Sequence, residues 1–191
     1  MATGNIIDDL KGRNEISILF VCLGNICRSP AAEGIMQSVV DKAGQSHRFR
    51  LDSAGTYGGH AGELPDSRMR QCAFQHGYRL EHRSRQVRST DLEEFDLIVA
   101  MDNTNYDNLR RMAPTVEDER KVVRMIDFCT DHDHYTYIPV EIKVSFYNEV
   151  KVATVLRIEQ AFYTCRSVAV EIAYPVVNLY CFPHTATTLH G

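Results

Sequence analysis

Apolar residues follow two alternating patterns along the first two-thirds of the chain. Runs such as ISILFVC (16–22) are apolar almost throughout, as a strand covered on both faces requires. Between such runs, apolar residues recur every three or four positions. Ala32, Ile35, Met36, Val39, Val40 and Ala43 make one helical stripe, and Gly44 is placed to stop it. Ser29 is positioned to cap that helix, with Pro30 at its first residue, where a missing N–H costs nothing. FRLDSAGT (49–56) predicts a second strand. Asp66 predicts the cap of a helix that turns Met69, Cys72 and Ala73 inwards and stops at Gly77. FDLIVAM (95–101) predicts a third strand, NTNYDNLRRMAP a helix ending before Pro114, and KVVRMIDF (121–128) a fourth strand. Strands alternating with helices at this spacing imply an α/β domain, a parallel sheet with helices on both faces. Ligands of such sheets sit at the carboxyl ends of the strands.

The two ends of the chain depart from this pattern. Residues 1–14 are polar and carry two glycines, which predicts a loose N-terminal extension before a single domain over residues 15–139. From Val140 onwards only 8 of 52 residues are charged, against 38 of the 139 before it, and glycine is absent until Gly191. EIKVSFYNEVKV (141–152) nearly alternates polar and apolar residues, a strand signature. We therefore read 140–191 as a divergent segment, and the abrupt shift suggests a changed reading frame or a junction with unrelated sequence. An uninterrupted gene whose near relatives share this tail would refute that origin.

Composition narrows the function classes. A net charge of −4 without a long basic run argues against nucleic acid or an anionic membrane as the main partner. MATGNIIDDLKGRNE (1–15) lacks the apolar centre of a signal peptide, and no later stretch approaches a membrane span, so a cytoplasmic location is expected. The six cysteines are irregularly spaced with no Cys-x-x-Cys pair, which reads as free thiols and no structural metal.

The chemistry concentrates in VCLGNICRSP (21–30), where the first strand gives way to the first predicted helix. A five-residue loop between Cys22 and Arg28 can turn its backbone N–H groups inwards as an anion nest, and the helix N-terminus adds positive potential at the same point. Gly24 and Asn25 tolerate the backbone angles such a loop needs. Arg28 offers a planar fork matched to two phosphate oxygens. Positive surroundings favour the thiolate, the nucleophilic form of cysteine. Such a site binds a tetrahedral dianion above a sulfur poised for in-line attack on phosphorus, with Ser29 beside that sulfur.

This segment strongly resembles the phosphate loop of the low-molecular-weight protein tyrosine phosphatases. The resemblance extends through DSAGT (52–56), LPDSR (64–68), HRSRQV (82–87) and FDLIVAMD (95–102), covering roughly residues 16–139. It implies a phosphatase I-like fold with strand order 2-1-3-4. The implied reaction is a two-step hydrolysis of phosphotyrosine in a protein substrate through a phosphocysteine, without metal or cofactor. Carried over by position, Cys22 is the nucleophile and Arg28 the phosphate clamp. Leu23, Gly24, Asn25, Ile26 and Cys27 form the rest of the phosphate-binding loop, and Asn25, Ser29, Ser53 and His82 the polar network that supports it. Cys27 matches a second loop cysteine, read either as a reversible disulfide partner of Cys22 or as a small residue packed beneath the loop. Ile26 resembles the tyrosine-directed members. The wall aromatic common in bacterial relatives is replaced by Gly59, and Tyr57 is a candidate substitute.

One part of the pattern is missing. The family carries its general acid in an Asp-Pro-Tyr segment after the fourth strand, but TYIP (136–139) is followed by Val140, Glu141 and Ile142. General acid–base catalysis is worth about 10²–10⁴-fold. Asp131, Asp133 and Glu141 are weak substitutes. The missing acid keeps a second reading open, a phosphate- or phosphotyrosine-binding module without efficient turnover. A third, arsenate reduction, needs further cysteines close together, whereas Cys72 and Cys129 are 57 residues apart.

Overall fold

In the computed structural model, residues 2–128 are described. Four parallel strands, β1 (Ile16–Cys22), β2 (Phe49–Gly55), β3 (Leu97–Ala100) and β4 (Val122–Arg124), form one sheet in the order β2-β1-β3-β4. The helices are α1 (Ala2–Lys11), α2 (Arg28–Lys42), α3 (Ser67–Gln75), α4 (Ser89–Glu94), α5 (Asn103–Met112) and α6 (Val116–Arg120).

Side chains alternate across a strand, so the apolar run of β1 supplies both faces of the sheet. Ile16, Ile18, Phe20 and Cys22 join Leu97 and Val99 against Ala32, Ile35 and Met36 of α2, Met69 of α3, and Ile7 and Leu10 of α1. Leu19 and Val21 face the other way, with Ile98 and Ala100, onto Leu92 of α4 and Leu109 of α5. Phe20 is among the largest fully buried side chains, and truncating it to alanine is expected to cost about 3–5 kcal/mol. The polar exception in β1, Ser17, is satisfied by the Asp96 carboxylate, which accepts from its N–H at 2.8 Å and its hydroxyl at 2.7 Å.

The expected four-stranded order and helical layers are present, with local differences. The segment expected as a loose extension is the helix α1, because Ile7 and Leu10 bury one face in the core and Ile6 packs beside them. The helix α2 begins at Arg28 rather than after a Ser29 cap. Its C-terminus closes as expected: Gly44 adopts φ 67°, while Gly44 N–H donates to the Asp41 carbonyl and Gln45 N–H to the Val40 carbonyl. The third strand is shorter than 95–101. The fourth stops at Arg124, where Asp127 folds back to accept from the Arg124 backbone and guanidinium, turning Met125–Phe128 into a 3₁₀ turn. The divergent segment 140–191 lies outside the described residues. Among the described residues no helix is long and apolar enough to cross a membrane.

With β2 and β3 on either side of β1, the loop after β1 emerges where the strand order reverses. That is where open parallel sheets hold ligands.

Candidate active site

The loop from Leu23 to Cys27 is held from outside by its carbonyls. Leu23 O accepts from Tyr57 N–H at 2.8 Å, Gly24 O from the Ser84 hydroxyl at 3.0 Å, and Ile26 O from Asp66 N–H at 2.8 Å. In a trans peptide the N–H points opposite the carbonyl, so the N–H groups of Gly24, Asn25 and Cys27 turn towards the interior of the loop. This is the geometry of an anion nest. Gly55 permits the close fit, because a Cβ there would stand 2.6 Å from Leu23 O and 3.0 Å from Asn25 N.

Asn25 fixes the shape. Its φ of 53° places it in the left-handed region, and its side chain is wholly buried. The amide nitrogen donates to Ser29 Oγ and Ser53 Oγ, both at 2.9 Å. The amide oxygen accepts from Arg85 N–H at 2.9 Å and faces His82 Nε2 at 3.2 Å. All four hydrogen-bonding positions of the amide are thus used.

The bond from the Arg85 backbone identifies which end of the Asn25 amide is oxygen, so His82 Nε2 must donate to it. His82 Nδ1 faces Glu33 Oε2 at 3.3 Å and Asp52 Oδ1 at 3.6 Å, both acceptors. Both ring nitrogens therefore donate. Burial works to lower the His82 pKa, but the Glu33 hydrogen bond and the Glu33 and Asp52 charges outweigh it and raise the value above that of ordinary histidine, with Arg85 opposing. Glu33, Asp52 and His82 bring ligand-type atoms within 4.8 Å of one another. An imidazole donating through both nitrogens has no lone pair for a cation, so this trio fits a brace and not a metal centre. Glu33 also accepts from Ser53 Oγ at 2.6 Å.

Beneath the loop, Cys22 Sγ lies at the buried end of β1, 3.1 Å from Ser29 Oγ. Ser29 does not cap α2, because its hydroxyl is turned to Cys22, Asn25 and the Ala54 carbonyl. The Arg28 guanidinium is anchored by Asp102 at 2.7 Å. The other Asp102 oxygen accepts from Asn105 N–H and caps α5.

Cys22, Leu23, Gly24, Asn25, Ile26, Cys27, Arg28, Ser29, Ser53 and His82 are therefore gathered around one loop. Cys27 is half-buried and packs against the α2-side core. Asp131, Asp133, Glu141 and Cys129 lie outside the described residues. Sequence reasoning missed Asp102, Glu33, Asp52, Ser84 and Arg85. Only Asp102 had a usable signal, an aspartate directly after a strand that neighbours β1. At the mouth stand Leu23 and Tyr57, each 56% exposed, with His60 edge-on to the Tyr57 ring at 6.3 Å between centroids.

The sequence profile of the family described as low molecular weight phosphotyrosine protein phosphatase matches residues 17–145. A putative low molecular weight protein-tyrosine-phosphatase of Synechocystis is 47% identical over 113 residues, spanning 59% of this chain and 72% of that protein. The Saccharomyces cerevisiae low molecular weight phosphotyrosine protein phosphatase is 43% identical over 101 residues, 52% of this chain and 63% of its own length. Among solved structures, a product-state mimic of a protein tyrosine phosphatase from Entamoeba histolytica superposes with a TM-score of 0.74 at 36% identity. That match covers 86% of this chain and all of the other.

Proposed function

From the premise that the chain belongs to the low molecular weight phosphotyrosine protein phosphatase family, we propose that it hydrolyses phosphotyrosine in protein substrates through a phosphocysteine on Cys22. The observation that supports this reading is Cys22 Sγ 3.1 Å from Ser29 Oγ at the start of a loop whose carbonyls are tied outwards, with the Arg28 that closes the loop anchored by Asp102. The Cys22 thiolate attacks phosphorus in line with the departing phenolic oxygen. Arg28 and the loop amides hold the equatorial oxygens as charge builds on them. Water then attacks the phosphocysteine, and Ser29 donates a hydrogen bond to the sulfur as it leaves. The nucleophile, the anion cradle and the stabilised leaving sulfur all come from the chain, and the chemistry calls for no cofactor.

The lost Asp-Pro-Tyr segment favours a second reading, a phosphotyrosine-binding module with little turnover. Rapid mixing with p-nitrophenyl phosphate separates the two. A stoichiometric burst followed by steady turnover, both lost in Cys22→Ser, supports the phosphatase. Binding without any Cys22-dependent release of nitrophenolate supports the module.

A further inference from the structure

A tyrosine phenolate is a strong base, its conjugate acid having a pKa of about 10, so its expulsion near neutral pH calls for a proton donor at the mouth. The described carboxylates closest to the loop are committed elsewhere. Asp102 holds Arg28 and the Asn105 amide, Asp66 the α3 amides and Arg68, and Glu33 Ser53 and His82. His82 itself lies under the loop, bonded to Asn25.

His60 stands differently. Its ring lies against Gly24, with Cδ2 at 3.2 Å and Nε2 at 3.8 Å from where a side chain on Gly24 would begin, and Ile26 reaches the same point at 3.7 Å. Its other nitrogen, Nδ1, is 2.9 Å from Glu63 Oε2, which leaves Nε2 as the nitrogen turned to the loop. The Tyr57 and His60 rings stand nearly perpendicular to each other. Tyr57 is itself tied to the loop through the Leu23 carbonyl, and its ring fills the space a side chain on Gly59 would need.

We propose that His60 is the proton donor to the departing phenolic oxygen, acting from the rim through Nε2. This rests on the phosphatase reading above. As the bond from Cys22 sulfur to phosphorus forms, the phosphorus–oxygen bond breaks and its electron pair passes to the phenolic oxygen. That oxygen takes the Nε2 proton of the imidazolium, leaving a neutral ring that solvent reprotonates. The donor is needed in proportion to the basicity of the leaving group, and p-nitrophenolate leaves largely unaided.

The test compares kcat/KM, which reports the steps through phosphocysteine formation, for wild type, His60→Asn and His60→Gln. Substrates are phenyl phosphate, a phosphotyrosine peptide and p-nitrophenyl phosphate. We expect both variants to lose about 10²-fold or more on the first two and less than about threefold on the third. Equal losses on all three, or no loss on any, overturns the assignment of His60. In that event Cys22-dependent turnover by the wild type leaves the phosphatase reading standing. If the wild type shows no Cys22-dependent release from any substrate, both fail together. Matching melting temperatures confirm that the variants fold.

Discussion

In the floor of the site, Asn25, Ser29 and Ser53 are wholly buried, and each makes at least two hydrogen bonds to neighbours. In the rim directly above, Leu23 and Tyr57 are more than half exposed, and among the described residues the His60 side chain hydrogen-bonds to Glu63 alone. The two regions meet different parts of one ligand. A phosphoryl group has the same size, charge and tetrahedral shape in every ester, so a rigid, preorganised cradle suits it. The organic group attached to it varies, and a rim of exposed rings can adapt without disturbing the cradle. The distinction predicts that floor substitutions act on every substrate alike, while rim substitutions discriminate among them.

The largest effect is expected at Asn25. Asn25→Ala removes partners from two buried hydroxyls, the Arg85 amide and the His82 ring at once. Leaving several buried groups unsatisfied should cost about 3 kcal/mol or more of stability, read by urea denaturation. Misplacing the loop should reduce kcat/KM by roughly 10²-fold on all phosphate esters. A variant with normal turnover would show that the loop holds its shape without this hub. A smaller loss is expected for Asp102→Asn, which keeps an acceptor oxygen but removes the charge facing Arg28. A neutral bond is about half as strong as a charge-assisted one, so a loss of about tenfold in kcat/KM is expected, again regardless of leaving group.

The same division explains what was legible in the sequence. Cys22, Asn25, Arg28 and Ser29 lie within eight consecutive residues, so spacing alone assembles their chemistry. The apolar run of β1 marked that strand to the residue, because it lies between β2 and β3 and is covered on both faces. β2, at the edge of the sheet, ends at Gly55, one residue short of the expected 49–56. The supports come from far along the chain: Asn25 meets His82 across 57 residues, and Arg28 meets Asp102 across 74. Local periodicity carries no information about such contacts. The resemblance supplied His82 but not Asp102, Glu33 or Asp52. The fourth strand was overread because the turn at Arg124 is made by a side chain, Asp127, reaching back to the backbone. The helix α1 was missed because its buried stripe is only Ile6, Ile7 and Leu10, too short for a period to emerge.

Between floor and rim in expected size is the pH dependence set by His82. Its folded-state pKa is raised above the ordinary value of 6.5, so the protonated ring is favoured by folding. The resulting stabilisation is fully present below about pH 6.5 and is lost as pH rises through the raised folded value. The melting-temperature difference between wild type and His82→Gln should therefore be greatest in mild acid and shrink as pH rises well above neutrality. A difference that grows with pH would mean that the ring is held neutral, contrary to its two acceptor partners.

The smallest effect, and the sharpest test of the division, is expected at Tyr57. Its ring covers Gly59 and borders His60, but no described core side chain rests on it and more than half of its surface is exposed. Tyr57→Ala should leave stability within about 0.5 kcal/mol of wild type. An aromatic pair is worth about 0.5–1.5 kcal/mol beyond its area, so KM for aryl phosphates should rise roughly two- to tenfold. KM for an alkyl phosphate without a ring to stack should barely move. An equal rise for both classes would place Tyr57 with the floor, its ring supporting the loop and not touching the leaving group. The backbone N–H that holds the Leu23 carbonyl survives in the alanine variant, so the substitution reads the ring alone.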